Sequence, residues 1–198
     1  MSTVVPPRDT TELHRTAVRL LAEATRAANR STGPEDALAA LTRVPPTFLG
    51  DRDAHLRPGG LKDGERQFSV CGVFLLTPDG RHNLLVAEVG FPSEQHRLRI
   101  PSDLAHPGWV VKHKRPLLIA NTDHDPDFRQ ILRTARMGSA MFAPMFVRDA
   151  FVGQFILASQ ARDTYAEVDH EVLIAFAEIA AAQYRAYDGA AWLRTLEP

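Results

Sequence analysis

The chain has 198 residues, of which 44% are hydrophobic and 24% charged, with a formal net charge of -1. That length suits one domain with a sizeable core, and the charge balance excludes a broad nucleic-acid or membrane footprint. The single cysteine, Cys71, excludes an internal disulfide framework, and the absence of a signal core in MSTVVPPRDT or of a membrane-length apolar run makes a cytoplasmic protein the expectation.

Residues 1–8 read as a flexible tail. Asp9 offers a helix cap with Glu12 three residues on. Leu13, Ala17, Leu20, Ala24 and Ala27 then recur at steps of four and three, a helix with a narrow apolar seam to about residue 29. Such a seam suits either a partner helix or the parent domain. Gly33-Pro34 opens a second helix to about residue 43, and the Pro-, Gly- and charge-rich residues 45–66 read as a long loop.

From residue 68 the period changes. FSVCGVFLLT, PDG and RHNLLVAEVG predict strand, turn and strand. HRLRI is a short strand, HPGWVVKHKR a short helix opened by Pro107, and PLLIA another short strand. DPDFRQILRTARM predicts a helix capped by Asp125, with Pro126 and Asp127 in its first turn. SAMFAPMFV and FVGQFILAS, joined by RDA, form a second hairpin. Thr164 is the expected cap of a long last helix. That helix carries one stripe of Val168, Val172, Ala175, Ile179 and Ala182 and another of Leu173, Phe176 and Ala180. Two apolar sides call for a sheet on one and a further cover on the other. The order predicts an α+β chain, an antiparallel sheet sandwiched between terminal helices and a ligand-side helix.

NTDHDPDF, residues 121–128, raises the question of a metal. Asp123, Asp125 and Asp127 alternate like the first ligands of a calcium loop, but Phe128 and Thr134 stand where such a loop needs Gly and Glu. One histidine and no nearby cysteine do not make a zinc set. No metal is expected.

The order of GVFLLTPDG, IPSDLAHPGWVVKHKRPLLIANTDHDPDF, GSAMFAPMFVRDAFVGQFILAS and YAEVDHEVLIAFAEIAA resembles the GAF family of sensory domains. The resemblance covers about residues 34–187, with residues 1–33 as tail and N-terminal helix and 188–198 as tail or helix extension. It implies a six-stranded antiparallel sheet, terminal helices on one face, and ligand-side helices with a small-molecule pocket on the other. In that frame residues 121–128 close over the pocket. Phe74, Trp109, Phe128 and Met141 are candidate walls or ordinary core, and Asn121, Asp123 and His124 either face the ligand or serve as turn and cap residues.

The chemistry of particular relatives lacks its residues here. Bilin attachment needs a cysteine near the pocket, whereas Cys71 in the first strand reads as a small buried hydrophobe. Reduction of free methionine sulfoxide needs several cysteines. The cyclic-nucleotide pattern keeps an aromatic at Tyr165 and an acid at Asp169, but Thr122 follows Asn121 and His170 follows Asp169. His106, His113 and His124 could approach a haem but read as surface or capping residues. Lys112, Lys114 and Arg115, and Arg129, Arg133 and Arg136, are basic sets that read as solvated helix faces or as sites for an anionic ligand or an acidic partner. The expected protein is a stand-alone, non-enzymatic sensor. It has no cofactor, takes a small non-covalent ligand with an anion as one option, forms a homodimer through terminal helices, and acts on a partner protein. An empty interaction module and a small-metabolite enzyme are the alternatives.

Overall fold

The computed structural model describes residues 9–130 and 136–196. The tail expected at residues 1–8 lies outside them. Helix α1 (Thr10–Ala28) begins where expected, with Asp9 Oδ1 accepting from the Thr11 and Glu12 amides at 2.9 and 3.2 Å. Its Leu13, Ala17, Ala24 and Ala28 are buried in its own domain, in contact with α2 (Pro34–Thr42) and the last long helix. The seam is therefore used within the chain, and α1 is part of the core rather than a separate extension. The long loop follows, with short 3-10 turns at Pro45–Thr47 and Ala54–Leu56.

Strands β1 (Ser69–Leu76), β2 (His82–Val89), β3 (Arg99–Pro101), β4 (Leu117–Ile119), β5 (Ser139–Val147) and β6 (Ala150–Ser159) form one six-stranded sheet in the order β3-β2-β1-β6-β5-β4. Every pairing is antiparallel. The last helices are α4 (Glu167–Ala186) and α5 (Gly189–Thr195); the latter packs back on α4 after Asp188 takes a left-handed conformation. No helix among the described residues is long and apolar enough to cross a membrane.

The strand period of two divides the apolar residues between two cores. Cys71, Val73, Leu75, Met141, Phe155 and Leu157 face α1, α2 and α4. Val70, Phe74, Ala140, Phe142, Ile156 and Ala158 face the other way, where α3 (Ala105–His113) lies.

Two helix expectations are corrected. Residues 125–130 form a turn and irregular chain, and 131–135, with Arg133, lie outside the described residues. Asp125 is not a helix cap, because its Oδ1 accepts from the Asp127 amide in a local turn and its Oδ2 faces His106. Thr164 does not cap α4 either. Its hydroxyl donates to the Ala161 carbonyl at 2.8 Å. The buried Asp169 carboxylate instead takes the Ala166 amide and, at 2.9 Å, the distant Gly50 amide.

Candidate functional site

A cavity of about 60 Å³ lies between the second face of the sheet, α3 and residues 128–130. Its floor follows from the register. Val70, Ala158 and Ala140 form one row across β1, β6 and β5, and Gly72, Ile156 and Phe142 form the next. Two alanines leave room that larger side chains would fill. Gly72 lets Phe91 settle over the sheet, since a Cβ there would stand 2.8 Å from Leu85 and 3.3 Å from Phe91.

Helix α3 forms the opposite wall through His106 and Pro107. It sits hard against the preceding turn, for a Cβ on Gly108 would lie 2.3 Å from the Asp103 backbone. From below, Gln154 donates to the Pro107 carbonyl and to Asn83 Oδ1, both at 3.1 Å, which ties α3 to β6 and β2.

His106 is 6% exposed, with its ring between Phe128 and Phe142 at centroid distances of 5.8 and 6.1 Å. Its Nε2 meets Asp125 Oδ2 at 3.1 Å. A carboxylate can only accept, so Nε2 carries a proton. Burial pushes the imidazole below its ordinary pKa, against the pull of Asp125 in the other direction. Outside α3 runs an open groove of about 730 Å³, lined by Trp109, Lys112, His113, Asp125 and Asp127 among others. His106 and Arg129 border both spaces.

The expected site residues scatter around this arrangement. Phe74 and Phe128 line the cavity. Trp109 lines the outer groove, stacked on His113 at 4.5 Å. Asn121 accepts from the Asp123 amide at 3.0 Å and caps the 3-10 turn Thr122–His124; His124 is exposed. Met141 is not among the described residues that line this cavity. It is fully buried on the helix face of the sheet, one residue out of step with Ala140 and Phe142, which do line the cavity.

Asp123 belongs to an ion cluster. Its Oδ2 meets Arg162 Nε at 3.0 Å and Lys62 Nζ at 2.8 Å, and its Oδ1 meets Arg136 Nε at 3.2 Å. Arg162, 1% exposed, also holds Glu65 through both Nη atoms. Burial alone would raise the Asp123 pKa, but the hydrogen bonds from Lys62 and Arg162 override it and hold the carboxyl at about 2. Thus Asp123 serves an ion cluster, and Asp125 serves both a histidine and a local turn that takes the Asp127 amide. Among the described residues no group of three or more His, Cys, Asp or Glu side chains is disposed to hold a metal ion.

His106, Phe142, Ile156 and Val70 were not among the expected site residues. The signal for the strand residues was the period of two counted from Phe74, which places Val70 on the same face.

The GAF domain family matches the chain over residues 61–182. No curated protein matches it. Among solved structures it is similar to the GAF domain of a phosphoenolpyruvate-protein phosphotransferase from Coxiella burnetii, at 17% identity, a TM-score of 0.71, and coverage of 90% of this chain and 98% of that one. The corresponding domain from Acinetobacter gives 14% identity, a TM-score of 0.69, and coverage of 88% and 95%. The free methionine-R-sulfoxide reductase of Neisseria meningitidis, solved with its substrate, gives 18% identity, a TM-score of 0.68, and coverage of 88% and 91%. At these identities the likeness is one of fold.

Proposed function

Because the chain belongs to the GAF domain family, we propose that it is a sensory module that holds a small non-covalent ligand in the sheet-side cavity and relays occupancy through its terminal helices to a partner protein. The observation that carries this reading is the position of Phe142. Its ring lines the cavity, and its backbone carbonyl accepts from Nε2 of the buried His170, on α4, at 3.0 Å. A ligand that displaces Phe142 therefore acts on the hydrogen bond to α4, across the sheet. Binding changes the helix only so far as it favours one arrangement of that contact over another.

A non-enzymatic role is proposed with it. The chain's one cysteine, Cys71, is fully buried on the opposite face from the cavity, and burial drives its thiol pKa well up. That suits neither thiol reduction of a sulfoxide nor covalent attachment of a pigment in the cavity. A cytoplasmic location completes the reading. Native mass spectrometry of protein purified without added ligand, beside a visible spectrum, tests it. The expected result is a small colourless molecule that leaves on denaturation. A visible chromophore, or an adduct on Cys71, overturns it.

The proposed assembly is a homodimer. With the inner seam of α1 used within the chain, the remaining surface is Val18, 70% exposed, with half-buried Leu20 on α1 and half-buried Val168, Ala175 and Ile179 on α4. Val18→Glu should split a dimer without unfolding the monomer, since a charge is disfavoured only if the position is covered. Light scattering across concentration reads this directly. A native chain that stays monomeric at high micromolar concentration removes the dimer from the proposal.

A further inference from the structure

The cavity walls are Val70, Phe74, Phe142, Ile156 and their neighbours, so most of any occupant meets only hydrocarbon. A charged group there would lose its hydration with little in return. Arg129 reaches the rim, but it is exposed and its Nη1 already donates to the Pro126 and Phe128 carbonyls. Among the described lining residues Gln130 is exposed, and His106 is the buried polar side chain. Asp125 lines the outer groove and not the cavity, so the Nε2 edge of the ring is turned toward the groove. Among the described residues Nδ1 has no hydrogen-bond partner. With the proton fixed on Nε2, a neutral imidazole presents a lone pair at Nδ1 and can only accept there.

We propose that the cavity takes a small neutral molecule whose hydroxyl or N–H group donates a hydrogen bond to His106 Nδ1. This rests on the reading of the cavity as a ligand site and narrows it. The occupant is an alcohol or amide-like compound rather than a ketone, ether or anion. A volume of about 60 Å³ accommodates roughly four to six non-hydrogen atoms, taking ~10–15 Å³ for each water-sized unit. Asp125 is a positioning residue, because it selects the tautomer without touching the ligand.

The test compares 1-butanol, 2-butanone and butyrate, similar in size, by titration into protein with 15N-labelled histidine. At pH 7 the His106 nitrogens should report a neutral ring protonated on Nε2. Butanol should shift the Nδ1 resonance and bind roughly tenfold better than butanone, the size of one hydrogen bond; butyrate should not bind. Asp125→Asn makes the tautomer itself testable. The oxygen of the new amide must stay on the Asp127 amide, which Asp125 Oδ1 now meets at 2.9 Å. Its NH2 group then faces His106 Nε2 and drives the ring proton to Nδ1. Butanone should gain affinity while butanol, which accepts as well as donates, keeps its own, so the discrimination collapses.

Equal binding of butanol and butanone by the native protein overturns the proposal but leaves the cavity a ligand site. Failure of all three probes to move any cavity resonance overturns both. A native His106 protonated on Nδ1 overturns the proposal whatever binds. If Asp125→Asn does not fold, the native tautomer and the alcohol-to-ketone ratio decide the matter alone.

Discussion

Arg162→Ala is expected to cost about 3–5 kcal/mol of stability, the range for removing one partner of a buried ion pair. The guanidinium is 1% exposed, and it joins Glu65, from the long loop, to Asp123, from the 3-10 turn Thr122–His124. Its backbone is pinned too, with the Arg162 amide donating to Gly60 and the Asp163 amide to Ala120. Truncation leaves two carboxylates, with side chains 15% and 23% exposed, facing each other over the space it vacates. Urea denaturation should show a lower midpoint with an unchanged slope. The pH dependence gives an independent reading. A carboxyl held at about 2 in the folded state, against an ordinary 3.8, contributes stability that is complete above pH 3.8 and is lost as pH falls through about 2. Without Arg162 the Asp123 pKa rises and that acid loss moves to higher pH. An Arg162→Ala protein within 1 kcal/mol of native, with the same acid profile, would show that the cluster is a solvated ornament.

This cluster was out of reach of the sequence, because Glu65 and Arg162 stand 97 positions apart and nothing local announces their pairing. What was legible is what local chemistry decides alone. The Asp9 cap, the Pro-Asp-Gly hairpin and the apolar runs of β1, β2, β5 and β6 gave the element order, and that order gave the sheet. That Met141 joins the core and not the cavity lining has a definite cause. SAMFAPMFV is buried on both faces over most of its length, so no alternation with polar residues marks which side meets the cavity. Asp125 and Thr164 fail for a related reason. Each has the side chain of a cap, but tertiary partners won: His106 for Asp125, and for α4 the Asp169 carboxylate that also reaches Gly50. His106 itself was read as a surface or capping histidine, since burial under Phe128 and Phe142 is a property of the fold and not of the helix that carries it.

Phe176→Ala is the complementary experiment, since it should weaken the fold while leaving the cavity intact. Phe176 is fully buried, and its ring lies 6.3 Å from both Phe48 and Phe155. It therefore stands where α4, β6 and the segment after α2 meet. Truncating a buried phenylalanine costs about 3–5 kcal/mol, through lost transfer free energy and the void left behind. The strand alternation keeps that damage on one side. Phe155 faces the helices, whereas its neighbour Ile156 faces the cavity, and Gln154 on that same second face holds α3. At a temperature where the variant is fully folded, 1-butanol should thus bind with native affinity. The helix should nonetheless report binding less faithfully, because α4 has lost the contact of Phe176 with Phe155 of the sheet, which backs the His170 bond to the Phe142 carbonyl at the cavity wall. Hydrogen exchange in α4, with and without butanol, measures that link. Lost stability with unchanged binding and a weakened α4 response is the expected result. Loss of binding in step with loss of stability would mean that the two faces of the sheet do not behave as separate layers, and that the cavity depends on the helix side for its shape.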